Sequence, residues 1–529
     1  MGKSLGRGEI LLTKVQKGKN MSATNAKFCI VWFKRDLRIA DHEPLAKASA
    51  TGLPILPLYI AEPACWVLPD VSRSHWHFIH DSLSELKDAL AQKGAPLIIR
   101  LGVVTEIFEN LRFHFGSFEL FSHEETGTGW TYKRDLEVLA WCRSQGISWQ
   151  EFQSNGVIRR LINRDHWADL RNTAMRKLII PTPQKINALQ GVVTQEIPTK
   201  DHLMFGSTTI GNVQKGGRSQ GLSVLESFLK ERGSRYSKPG VSARNCSRLS
   251  AHIAYGTLSI KEIEQATHLK IKQLDQDHSD FNASFIRNLE AFLSRLAWRC
   301  HFVQKLEQQP SIEFLCMHPA FEGMRENQFN DAYFKAWQEG KTGYPLVDAC
   351  MRSLHQNGWI TFRMRAMLAS FASYHLWLDW RQTAPFMAKL FTDYEPGIHY
   401  SQFQMQSGVT GVNAVRIYNP IKQSIDQDPE GVFIKRYVPE LGDVSKSWIH
   451  EPWRHPCPPK NYPKPLVALE QATKYARDQI SAYQKMEGFR DDANMVKEKL
   501  ASRKSISSKR VSFKKKQETS NMIQLEFKF

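Results

Sequence analysis

The chain has 529 residues, 42% of them hydrophobic, and a formal charge of +18; its mean hydropathy is −0.42 and its pI is near 9.4. That length suits two to four domains with large buried cores. No run of about 18 apolar residues occurs, so no membrane span is expected, and the N-terminus has no apolar segment to act as a secretory signal.

Gly6 stands where a myristoylation motif needs Ser or Thr. Residues 1–26 read as a loose leader, with Met21 as an alternative start. Residues 28–33, 55–60, 97–101 and 118–122 are short apolar runs rich in strand formers. Helix-like stretches at 43–51, 74–92 and 132–144 separate them. Strands alternating with helices predict a doubly wound parallel sheet over 27–160. No Gly-x-Gly-x-x-Gly follows the first strand, so a dinucleotide site is not supported. His75, His77 and His80 fit no common metal spacing and read as solvated histidines on a helix.

Pro181, Pro183, Pro198, Gly206, Gly211, Gly216 and Gly217 mark a long connector. A linker over 161–220, wrapped on the surface, is expected. A large all-helical domain over 221–465 follows. Its clearest helix spans 280–309, with Phe285, Leu289, Phe292 and Leu296 as the apolar stripe and Pro310 beyond its end. Further helices are expected at 259–270, 330–339, 344–356, 360–379 and 383–391. The tail, 466–529, begins as a helix to about residue 485 and becomes Ser/Lys-rich.

Residues 499–516 hold eight basic side chains and no acid. Without them the +18 falls to +10, so the body is basic as well. That balance favours a polyanion partner through phosphate contacts. Eight cysteines at 29, 65, 142, 246, 300, 316, 350 and 457 include no Cys-x-x-Cys pair. Neither a zinc site nor a disulfide framework is suggested, and no metal is expected. A reducing compartment, and hence a cytoplasmic protein, is expected. Gly340-Lys341-Thr342 lacks the first glycine of a phosphate-binding loop, because Lys335 is there. Cys246-Ser247-Arg248-Leu249-Ser250 sets hydroxyls and a cation before a helical run, a place that suits an anion or, more simply, a helix cap.

The longest motif run lies between 337 and 441. It includes Trp337-Gln338-Glu339-Gly340-Lys341-Thr342-Gly343-Tyr344-Pro345, Asn357-Gly358-Trp359, Arg363-Met364-Arg365, Leu378-Asp379-Trp380, Asp393-Tyr394-Glu395 and Arg416-Ile417-Tyr418-Asn419-Pro420. Together with Trp32-Phe33-Lys34-Arg35-Asp36-Leu37-Arg38 near the N-terminus, this resembles the DNA photolyase/cryptochrome family over roughly 28–465. The cysteines match no iron–sulfur pattern found in some members.

The resemblance implies FAD in the helical domain. Tyr236 and residues Cys246, Ser247, Arg248, Leu249 and Ser250 match the phosphate-binding part, with Cys246 where Thr is common. Phe292, Arg295, Arg299, Phe362, Arg365, Asp393, Glu395 and His399 complete the expected flavin contacts. A cation beside the ring favours its reduced anion, and the carboxylate orients that cation. His399 stands where photolyases usually carry Asn; it could exchange protons near neutral pH or simply hydrogen-bond. Trp380 matches the middle of the usual tryptophan chain, while Phe403 and Asn327 occupy its inner and outer positions. Trp377, Tyr400 and Trp359 are the alternative electron carriers; Trp359 also reads as a core residue.

Trp298 matches the position that stacks on an extruded dimer, with Arg295 and Met405 beside it as substrate contacts. Arg295 replaces a usual acid, Ala366 a usual Met and Met405 an aromatic, and Arg365-Ala366 is not a His-His pair. The resemblance thus implies a deoxyribodipyrimidine photo-lyase acting on UV-damaged DNA, with Trp298, Trp380 and His399 at the chemistry. The alternative is a blue-light photoreceptor without repair. A second, light-harvesting chromophore is often carried by the N-terminal domain in this family, near the place of residues 122–127. A monomer is expected. Gln524-Leu525-Glu526-Phe527-Lys528-Phe529 faintly resembles a sliding-clamp peptide.

Overall fold

A computed structural model describes residues 26–501, apart from 207–209, 238–239, 242 and 278. The leader, the Ser/Lys-rich end and the clamp-like peptide lie outside the described residues. Five strands, β1 (Phe28–Phe33), β2 (Ile55–Ala61), β3 (Ile98–Leu101), β4 (Phe118–His123) and β5 (Trp149–Phe152), form one sheet in the order β3-β2-β1-β4-β5. All neighbours are parallel; Ile30 lies opposite Leu56 on one side and Leu120 on the other. Strands β1 and β2 are buried along their whole length, so they read as continuous apolar runs. β5 escaped the sequence reading because it is a half-exposed edge strand carrying Gln150 and Glu151. Helices α1 (Glu43–Ala50), α2 (Arg73–Gln92), α3 (Val104–Phe115) and α4 (Gly129–Ser144) connect and cover the strands. The strand order reverses between β1 and β4. In open parallel sheets that reversal opens a crevice at the carboxyl ends of the strands.

The connector is divided between two cores. In α5 (Trp167–Arg176), Trp167 and Met175 pack with Leu225 and Phe228 of α6 (Arg218–Lys230) in the helical part. Ile186, Ala188 and Phe205 pack with the sheet. Beyond it the described secondary structure is helical. One short turn, α7 (Ser250–Ala254), precedes a helix at Ile260–Leu274. The long helix α8 (Asp280–Gln308) is capped by the Ser279 hydroxyl and buries its predicted stripe. Helices at Asp331–Glu339 and Pro345–Asn357 follow.

The single helix expected over 360–379 is instead interrupted. Helix α9 (Phe362–Ser370) widens into a π-helical turn, Phe371–His375, and Trp377 then takes a left-handed φ of 53°. Helix α10 (Trp380–Leu390) restarts where Asp379 accepts a bond from the Arg381 amide at 2.6 Å. The apolar run continues through the break, so periodicity could not reveal it. Helix α11 (Pro396–Ser407) packs on α8, and the tail adds α12 (Leu469–Gln484) and α13 (Phe489–Leu500). The Phe489 ring stacks on buried His318 with centroids 4.0 Å apart. Among the described residues no helix is long and apolar enough to cross a membrane.

Polar contacts lock the sheet part to the helical part. Arg35 donates to the carbonyls of Ala254 at 2.9 Å and Tyr394 at 2.7 Å. Gly256 approaches so closely that a Cβ there would lie 2.3 Å from the Arg35 carbonyl oxygen. The Ser72 hydroxyl donates to Lys389 O at 2.7 Å. His75 is not the solvated residue expected. It is 3% exposed, and its Nε2–H is shared between the carbonyls of Ala388 (3.1 Å) and Phe391 (3.0 Å). His77 and His80 are half-buried.

Burial pushes His75, His375 and His399 down to about 4 from an ordinary 6.5. The unfolded chain therefore takes up protons first as the pH falls. The stability from keeping these rings neutral is fully present above about pH 6.5 and is lost towards pH 4. The urea midpoint is expected to drop between pH 7 and 5. In His75→Gln the slope of stability against pH should be shallower by about one proton.

Candidate functional site

Residues 246–250 form a loop held from behind. The Arg232 guanidinium donates to the carbonyls of Cys246 and, at 3.3 Å, Ser247. Gln214 donates to Arg248 O at 2.9 Å. Arg248 adopts a left-handed φ of 61° and lays its guanidinium over Trp359 at 4.2 Å. The following helix, α7, is a single turn without a side-chain cap. A helix dipole this short adds little, so the positive potential of the loop comes from arginines. Burial lowers the Arg248 pKa; Asp393 opposes the shift, while Arg365 and Arg232 add to it.

Arg365 forms a two-pronged ion pair with Asp393, each bond 2.9 Å. It also donates to Ile360 O at 2.9 Å and lies over the Phe391 ring. Burial alone would raise the Asp393 pKa, but Arg365 and the Ser250 hydroxyl outweigh it and hold the carboxyl below its usual range. The Ser250 oxygen also accepts from Trp359 Nε1 at 3.3 Å. Trp359 is half-buried beneath two guanidiniums rather than a core residue. On the other side Arg299 pairs with Glu395, while its second terminal nitrogen is buried without a partner among the described residues.

His399 donates from Nε2 to Ala384 O at 2.8 Å. Burial pushes its pKa down to about 4. Tyr236 packs edge-on against Phe292 and Phe228. Arg295 lies 4.0 Å above Trp298 and 6.0 Å from Phe362, which is 53% exposed. Met405 is half-buried on α11. The expected electron carriers fall into separate groups. Trp380 meets Tyr400, with centroids 6.4 Å apart; Trp377 meets Tyr475 of α12 at 5.2 Å; Trp359 stays with the arginines. Phe403 lies against His399 at 4.8 Å.

These residues fit FAD. Two guanidiniums, those of Arg248 and Arg365, act on one carboxylate, Asp393; Arg232 is held by the Ser227 hydroxyl and by carbonyls, and Arg299 has a buried donor to spare. A pyrophosphate and the polar edge of a flavin are the acceptors such a set lacks. Arg232 was missed because, among Lys230, Glu231 and Arg235, it reads as part of a solvated charged run.

A second cleft, about 860 Å³ and open to solvent, sits at the carboxyl ends of β1, β2 and β4. Trp32, Tyr59, Trp66, Trp130, Tyr255 and Tyr394 line it. At one end buried Arg134 is held by Glu62, Glu125 and Asp135. Of the segment 122–127, Glu125 and Gly127 reach this cleft. His123 instead donates to Asp36 Oδ2 at 2.7 Å, beside His42 at 3.0 Å. His42 Nδ1 accepts the Leu45 amide, so its Nε2 carries the proton. The three side chains, which could in principle group around an ion, thus bond to one another.

Removing the Arg248 guanidinium should weaken FAD binding about tenfold, or about 1.4 kcal/mol. Fluorescence titration of apo Arg248→Ala against the parent chain measures it; equal affinities would remove Arg248 from the site.

The family model described as the FAD binding domain of DNA photolyase matches residues 292–482, and the DNA photolyase model matches 29–160. The chain is 29% identical to the deoxyribodipyrimidine photo-lyase of Escherichia coli over 484 residues, covering 84% of this chain and 96% of that protein. It is 26% identical to cryptochrome DASH of Gloeobacter violaceus, covering 85% and 94%. The solved archaeal photolyase of Sulfolobus tokodaii, described with two FAD molecules, superposes with a TM-score of 0.71 at 26% identity, covering 86% and 99%. The chain belongs to the DNA photolyase/cryptochrome family, and its helical part carries the FAD-binding domain of that family.

Proposed function

We propose that this protein is a deoxyribodipyrimidine photo-lyase that repairs UV-damaged DNA in light. One observation carries the reading: Arg295, Trp298 and the exposed Phe362 form a cationic aromatic platform. An extruded base needs an aromatic face, and its flanking phosphate needs a cation. The +10 body suits the same partner.

Bound reduced FAD supplies a light-driven electron to the lesion. The chain's own part is positioning. Arg365, fixed by Asp393, holds positive charge against the ring, and Arg299 is fixed by Glu395. Neutral His399 adds no competing charge. Trp298 stacks the lesion and excludes water from one face. The aromatic cleft at the strand ends suits a planar light-harvesting chromophore; the Sulfolobus relative, described with two FAD molecules, supports a flavin there. The second reading, a photoreceptor without repair, is favoured by Arg295 standing in place of the acid expected there.

Protein carrying chemically reduced FAD is mixed with oligonucleotides bearing either a cyclobutane dimer or a 6-4 product and lit with blue or near-UV light. Loss of one lesion in light alone is expected. No loss of either, with reduced flavin bound, moves the assignment to the photoreceptor. Trp298→Ala should weaken binding to the repaired lesion by about 1–3 kcal/mol; unchanged binding would take Trp298 out of the substrate site.

A further inference from the structure

Two tyrosines next to the flavin site share one carboxylate from the other half of the chain. The hydroxyls of Tyr394 and Tyr400 both donate to Asp70 Oδ2, the latter at 3.2 Å. All three are buried: Asp70 is 2%, Tyr400 3% and Tyr394 5% exposed. Both phenol rings face His399, at 5.3 Å for Tyr394 and 5.5 Å for Tyr400. The Tyr400 ring also lies 6.4 Å from that of Trp380, at an interplanar angle of 73°. Trp380 is 1% exposed, and Arg381 lies over it at 4.9 Å. That cation is outnumbered, because Asp379, Glu322 and Glu326 all pair with it. The surplus negative charge stabilises an electron hole on the indole.

A phenol that loses an electron becomes a strong acid. In a buried site it can be oxidised only if a base takes the hydroxyl proton, since a charged product would be desolvated. Asp70 is such a base, already hydrogen-bonded. A staple between the two halves would need only one hydroxyl; here two are gathered at a single oxygen, and one of the rings touches an oxidisable tryptophan.

We propose that Tyr400 and Asp70 form a proton-coupled electron relay into Trp380, with Tyr394 holding Asp70 in place. The proposal rests on the flavin photochemistry put forward above. The oxidant is the photo-excited oxidised FAD of the same site, and the hole reaches Trp380. Tyr400 returns one electron to Trp380; its O–H bond breaks and the proton forms an O–H bond on Asp70. A small-molecule thiol in solution then gives one electron to the tyrosyl radical and is itself oxidised, while Asp70 returns the proton. The relay supplies an oxidisable side chain where Phe403 offers none.

The test is freeze-quench electron paramagnetic resonance on the intact protein with oxidised FAD, after a light flash. The parent chain should give a neutral tyrosyl spectrum whose rise slows at least twofold in D₂O. Tyr400→Phe, which loses one oxygen, should give no tyrosyl signal and about tenfold slower thiol-dependent flavin photoreduction. Asp70→Asn keeps an acceptor oxygen but is not a base, and should lose the signal with its flavin still bound. Tyr394→Phe should keep it. A full tyrosyl signal in Tyr400→Phe, or a parent chain that shows only a tryptophanyl radical, overturns the relay. If Asp70→Asn fails to fold, Tyr400→Phe decides alone. Lesion repair by chemically reduced protein bypasses the relay, so failure of repair would count against the enzyme reading and leave the relay standing.

Discussion

Two carboxylates on one three-residue bend, Asp393 and Glu395, are both buried, and each is paired with an arginine. An unpaired carboxylate there would be costly, so Arg365 and Arg299 are as necessary to the fold as to any ligand. Between them the Tyr394 carbonyl accepts from Arg35, and the Tyr394 hydroxyl bonds to Asp70. Three successive residues therefore look to the flavin-site loop, the sheet and the long helix α8. The position of Arg365 depends on the junction of the two halves as well as on the helical bundle.

Charge within this region follows one rule. Cations facing the flavin site remain arginine, which does not lose its proton, and their guanidiniums lie on aromatic faces. Imidazoles nearby are kept neutral by burial. The positive charge around the loop is thus carried by guanidiniums.

What the sequence made legible was local. The strand runs at 28–33 and 55–60 are buried on both faces, so their composition announced them. The stripe of α8 is likewise a short-range signal. The pairing of Arg365 with Asp393 was legible only through motif resemblance, because 28 residues separate them. Nothing in the local sequence around Asp70 or His75 marks them as junction residues: their partners lie more than 300 positions away. The π-turn before Trp377 was hidden for a different reason, since hydrophobic spacing does not register one extra residue in a turn.

That separation in sequence has a consequence in time. Asp70, Ser72 and His75 leave the ribosome long before residues 388–400 exist. At about 5–20 residues per second the wait is roughly fifteen seconds to a minute. During it, the groups that will join the halves face water, and the sheet must hold together by its own core. The junction therefore closes only after residues 388–400 are made, and a ribosome stalled before residue 388 would display it open.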